Sequence, residues 1–173
     1  MKSLIAEAKR VYEEAGLDCG HGLLPPAEPA AIERISLELS LRVPDELRAV
    51  FAVHGGQDYI PPGITGLFGE HRLHSPAEIV EHHKMYADNY LAAFASIPAF
   101  PPSADDPGHW VPDLIPFASW DAYSLCIHAT SGDMWEFLPS SGLIRHRPSI
   151  AAVLEEVIES VRAGNEAQLG AMR

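Results

Sequence analysis

Between Leu114 and Arg147 the chain runs through four short apolar pieces: LIPFA from Leu114, YSLCIHA from Tyr123, DMWEFL from Asp133 and GLIRHR from Gly142. Turn formers such as Thr130-Ser131-Gly132 and Ser140-Ser141-Gly142 separate them. Connections this short join antiparallel neighbours, so the pieces belong to one sheet. In the second piece Tyr123, Leu125 and Ile127 alternate with Ser124, Cys126 and His128. That period of two predicts one packed face and one more polar face.

Helical patterns surround this run. Leu4, Ile5, Ala8, Val11, Tyr12 and Ala15 form one stripe that stops at Gly16. Pro29 opens a second helix carrying Ile32, Ile35 and Leu39, and Pro44 is placed at the first position of a third, whose Leu47, Val50 and Phe51 precede Gly55-Gly56. Ser75-Pro76-Ala77-Glu78 is a capping box, which predicts a helix from Ser75 to Tyr90. Ile150, Val153, Leu154, Val157, Ile158 and Val161 then mark the clearest amphipathic helix, closed by Gly164. The Gly- and Pro-rich stretch 57–74 predicts turns and a short hairpin, and the four prolines of 97–109 predict a surface loop holding Asp105 and Asp106. Residues 165–173 read as a frayed tail. Helices, then clustered strands, then a helix predict a single α+β domain over 1–173, an antiparallel sheet of about four to six strands with helices at the N-terminus, middle and C-terminus.

Charge narrows the partners. With 12 Lys+Arg against 24 Asp+Glu the formal charge is −12, which repels phosphate backbones and argues against nucleic acid as a ligand. Residues 85–144 contain no Lys or Arg but hold Asp88, Asp105, Asp106, Asp113, Asp121, Asp133 and Glu136. A basic protein partner is attracted by such a surface. Trp110, at the mouth of the first strand, and Trp120, placed in a turn beside Asp121, are candidate aromatic anchors. The candidate partner-binding set is therefore Asp105, Asp106, Trp110, Asp113, Trp120, Asp121, Asp133 and Glu136.

Catalytic patterns are sparse. His71, His74, His82 and His83 fall within thirteen residues, with Glu70, Glu78 and Glu81 among them, but His82 and His83 are adjacent on a helix and HExxH is absent. A metal-dependent enzyme built on this cluster is the weaker alternative, and no metal is expected. Cys126 shares a strand face with His128, yet GxSxG, GxGxxG and the phosphate-binding GxxxxGK[ST] are missing, so neither catalysis nor a cofactor is predicted. Cys19 and Cys126 show no CxxC spacing and read as reduced thiols. Charged residues interrupt the first twenty positions and no run approaches the ~18 apolar residues of a membrane span, so a cytoplasmic location is expected.

Several segments together resemble a known family. The helix from Ile32 to Leu39, Val43-Pro44-Asp45-Glu46-Leu47, and Phe51-Ala52-Val53-His54-Gly55-Gly56 are similar to the opening of the SUKH superfamily in its cell-wall-assembly-regulator (Smi/Knr-like) branch. Trp110-Val111-Pro112, Leu114 to Ala118, Tyr123 to His128 and Asp133 to Leu138 resemble its second block, and Pro148-Ser149-Ile150 its final helix. The likeness spans about residues 28–163. His54 stands where the pattern has Asn, Val43 where it has Leu, Asp121-Ala122 at a Gly-rich turn, and His128 where it has Asp. The resemblance implies a non-catalytic α+β binding fold: bacterial members are immunity proteins that neutralise toxin domains, and fungal relatives coordinate cell-wall synthesis through protein contacts. The expectation is thus an immunity protein that covers a basic, plausibly nuclease, toxin cleft, with a regulatory scaffold as the alternative.

Overall fold

Among the described residues amphipathic periodicity becomes five α-helices. The computed structural model describes residues 1–58, 65–91 and 110–164, with α1 (Lys2–Glu14), α2 (Pro29–Leu39), α3 (Asp45–Phe51), α4 (Pro76–Tyr86) and α5 (Ile150–Arg162). The stripe of α1 buries Ile5, Ala8, Val11 and Tyr12, and all six periodic residues of α5 are buried. These two helices pack on each other, and an Arg162–Glu7 ion pair joins them at the surface. Pro44 caps α3 from outside, so Asp45 rather than Pro44 is the first helical residue.

Caps fix the helix starts. At α4 the Ser75 N–H donates to Glu78 Oε2 at 2.7 Å, and the Glu78 N–H to Ser75 Oγ at 3.3 Å, the reciprocal pair the sequence predicts. Ser149 Oγ accepts from the Ala152 N–H at 3.0 Å, and the Ile150 N–H donates to Glu46 Oε2 at 2.7 Å. A carboxylate of α3 therefore caps α5. Beyond Tyr86 the chain continues as a π-helical turn, Ala87–Leu91, so the predicted helix is helical throughout but changes its winding.

Five strands form one antiparallel meander in the order β1 (Arg72–Leu73), β2 (Leu114–Trp120), β3 (Tyr123–His128), β4 (Met134–Leu138) and β5 (Gly142–Arg147). The expected α+β fold is the one observed. Within 57–74, however, the described residues make no hairpin of their own. They form single bridges, Gly66 with Gly69 and Phe68 with His71, and Arg72–Leu73 pairs with β2 instead. Trp120 is the last residue of β2, paired with Tyr123, rather than a turn residue. Pro116 sits inside β2, where a missing N–H is tolerated because the register shifts between Pro116 and Ala118.

The largest departure concerns the sheet's second face. Ile115, Phe117, Ala118, Leu125, Ile127 and Met134 pack into the main core, as the alternation predicts. The opposite face is not polar. Leu114, Cys126, Trp135, Phe137 and Leu143 form a second core with Tyr86, Trp110 and Val111. Cross-strand pairing explains it: Trp135 lies opposite Cys126 and Phe137 opposite Ser124, so β4 supplies the apolar area that β3 lacks. The Ser124 hydroxyl is satisfied by Tyr86 Oη at 2.6 Å, and the Cys126 thiol packs as a small hydrophobe.

Candidate functional site

The four clustered histidines do not converge on one point, although His74 and His82 are in ring contact. His71 points into the main core, where its Nε2 lies 4.0 Å from Glu136 Oε1 and neither ring nitrogen has a hydrogen-bond partner among the described residues. Burial pushes His71 down to about 4 and raises Glu136, so it disfavours the charged form of each partner in this contact. His74 is bonded to the β2 bulge: Nδ1 lies 3.2 Å from Pro116 O, Nε2 2.7 Å from Ser119 Oγ, and the His74 N–H donates to Phe117 O at 2.8 Å. The His82 ring is half-buried and lies 4.2 Å from that of His74. His83 Nε2 reaches Pro112 O at 2.8 Å beside the Trp110 ring. Each imidazole serves packing or a backbone carbonyl, and among the described residues no group of three His, Cys, Asp or Glu is arranged to hold a metal ion.

Both thiols are buried as well. Burial raises Cys126 beyond the ordinary thiol range and Cys19 to about 11, the opposite of an activated nucleophile. His128 Nδ1 accepts from the Ser131 N–H at 3.2 Å.

The sequence-predicted acids separate into different places. Asp113 and Asp133 meet at the β3–β4 turn, where Ala129 N–H donates to Asp113 O and His128 N–H to Asp133 O, each at 2.8 Å. Asp121 lies at the β2–β3 turn, at the other end of the six-residue β3, about 17 Å away. It takes a φ of +50°, a left-handed conformation that Asp tolerates better than most side chains, which is how Asp121-Ala122 replaces a Gly-rich turn. Beside it the half-buried Trp120 stacks on Tyr123 with ring centroids 5.9 Å apart. Glu136 and Trp110 are inside the molecule, at 5% and 4% exposure, because Glu136 faces the main core and Trp110 closes the second one. Neither belongs to an open surface. Asp105 and Asp106, with the predicted loop around them, lie outside the described residues, as does the 165–173 tail.

What the fold adds at the β3–β4 end is an open groove of about 330 Å³. Arg42, Asp45 and Glu46 line one side and Thr130, Ser131 and Ser149 another. The single cation is engaged, since Arg42 Nη2 donates to the Asp45 carboxylate at 2.9 and 3.0 Å. Asp113 and Asp133 flank the turn, and Asp133 lies 3.4 Å from His146 Nε2. Asp45 and Glu46 carry no functional mark in the sequence, because carboxylates in a helix's first turn have a sufficient local reason to be there. The signal that marks them is tertiary: α3 starts where the β3–β4 turn ends.

A helix-clad sheet with inert thiols, histidines tied into packing and a polar groove at one sheet end has the make-up of a binding module. The chain belongs to the SMI1 / KNR4 family (SUKH-1), whose family model matches residues 26–160. No curated protein matches it. The matched stretch contains all five strands and α2 to α4 and ends within α5, leaving α1 outside. Membership fits a non-catalytic module of the immunity or regulatory kind. Among the described residues no helix is long and apolar enough to cross a membrane.

Proposed function

We propose that this protein is an immunity protein that binds a toxin domain with a basic cleft and blocks it with the β3–β4 end of its sheet. The observation that carries this reading is the polar groove at that end, lined by Asp45 and Glu46 with one engaged arginine, and adjoined by Asp113 and Asp133, whose backbone carbonyls bond to the β3–β4 turn. A nuclease cleft must be cationic to hold phosphate, so a carboxylate-rich surface competes for it and gains association rate from steering. The formal charge of −12 adds the long-range attraction, and membership of a family that fits an immunity or regulatory module supports the reading.

The test is co-expression with toxin-domain genes encoded beside this one. The cognate toxin arrests growth alone and not in its presence. In purified form, Asp113→Asn with Asp133→Asn is expected to slow association with that toxin by about threefold to tenfold at low salt and far less at high salt. Asp121→Asn, at the far end of β3, leaves the rate unchanged. Failure to rescue growth from any neighbouring toxin overturns the immunity reading in favour of regulation of the cell's own enzymes. Full rescue with unaltered kinetics in the double variant instead moves the interface away from the groove.

A further inference from the structure

His74 and His82 form a contact that the proposed binding role does not use. His74 is fully buried at the start of α4 and held by two carbonyls of the β2 bulge and by Ser119. His82, two turns along α4, lays its ring at 4.2 Å from that of His74 and meets Tyr86 edge-on at 6.3 Å. Tyr86 in turn closes the second core, through Ser124 at 2.6 Å and the Phe137 ring at 5.1 Å. The π-helical turn begins directly after Tyr86. Ile79 and Val80 anchor the first half of α4 in the main core, while the half from His82 onward covers the second.

We infer that the His74–His82 contact is an acid-sensitive latch: when both imidazoles are protonated, the second half of α4 and the π-helical turn lift from the sheet and uncover the second core, while the main core stays closed. Two imidazolium rings at 4.2 Å repel each other, and one of them has no water to screen it. Neighbouring charges do not remove the conflict. Glu78 and Glu81 on α4 favour protonation, but Glu78 is already engaged by Arg72 at 2.7 Å, and Arg72 opposes it. From α2, Glu38 faces Lys84 at 2.6 Å and Arg34 at 2.5 Å. Asp113 lies near His83, whose own charge Lys84 disfavours, and β2 presents only Ser119 and carbonyl groups to His74. Burial holds both rings below the ordinary imidazole range, His74 at about 3, so acid acts on the open form. Opening restores ordinary basicity, which draws protons into the open state as pH falls below about 6.5.

The chain carries its own reporters, since Cys126 lies in the second core and Cys19 in the main one. Labelling of the intact protein with dithiodipyridine, normalised to a free thiol and read by mass spectrometry, is expected to accelerate at Cys126 by about tenfold or more between pH 7 and pH 5. Cys19 is expected to accelerate much less. His82→Phe, which keeps an aromatic ring on Tyr86, weakens the Cys126 response, leaving only the part that His74 contributes on opening. Hydrogen exchange on the unsubstituted chain gives a second readout, with residues 82–91 losing protection at pH 5 and α5 keeping it. Equal acceleration of both cysteines, a flat Cys126 response, or an unchanged response in His82→Phe overturns the latch.

Discussion

Gly55→Ala is expected to lower unfolding free energy by about 2 to 3 kcal/mol, measured by urea unfolding at neutral pH. A Cβ at this position would sit 2.8 Å from Pro25 O, 2.9 Å from Ala27 N and 3.0 Å from Ala27 Cα. All three are backbone atoms, so no rotamer change relieves the clash. The segment after α3 is threaded between two other backbones: Gly55 N–H donates to Pro25 O at 2.8 Å, Leu24 N–H to Gly56 O at 2.9 Å, and Gln57 N–H to Leu73 O at 2.9 Å. Moving the segment to make room for a methyl breaks these bonds and displaces the entry to β1 and α4. Gly56 is constrained from the other side, with a φ of +142° and the Ser75 N and Cα 3.0 Å from any added Cβ. His54→Asn is the contrasting control. His54 Nδ1 lies 3.1 Å from Leu24 O, and a side-chain amide donates to the same carbonyl, so this change is expected to cost less than about 1 kcal/mol. Gly55→Ala within about 0.5 kcal/mol of the parent protein contradicts the close-approach account.

Acidification is expected to produce the second large effect. His71 is almost fully buried with an imidazole pushed from 6.5 to about 4, so between these values the unfolded chain binds more protons than the folded one. Stability from this group is complete above pH 6.5 and is lost as pH falls toward 4, by on the order of 3 kcal/mol. Glu136, 4.0 Å away, contributes with the opposite sign. Burial raises its carboxyl, so its contribution is complete at low pH and is lost as pH rises through the folded value, even though Arg147 and Arg145 oppose the shift. Urea midpoints across pH 4 to 8 are expected to fall steeply on the acid side in the parent protein and more gently in His71→Leu. An identical acid slope in both proteins assigns the lability elsewhere. This loss concerns the whole fold, and the proposed His74–His82 latch the second core alone.

How much of this was legible in sequence depends on the range of the interaction. The Ser75–Glu78 cap, the α5 stripe and the antiparallel order of β2 to β5 arise from residues within a few positions of one another, and local patterns encode them directly. The face of β3 carrying Ser124 and Cys126 looked polar because period-two reasoning sees one strand at a time. Its true surroundings are Trp135, Phe137 and Tyr86, which arrive from other elements. Trp110 and Glu136 look like surface groups in the sequence for the same reason: a Trp near a proline-rich loop and an acid in a strand give no local sign of what closes over them.

The acidity follows the same division. Composition alone determined the formal charge of −12, since net charge is a sum that folding does not alter. Sequence order likewise determined the fold class, because helix and strand periods and short connections are properties of neighbouring residues. Tertiary structure decided where the charge acts. It placed Asp121 at one end of the sheet and Asp113 and Asp133 at the other, buried Glu136, and brought Asp45 and Glu46 of α3 to the β3–β4 groove. Convergence of side chains from separate segments depends on sheet register and helix packing, and neither is written in any local stretch of the chain.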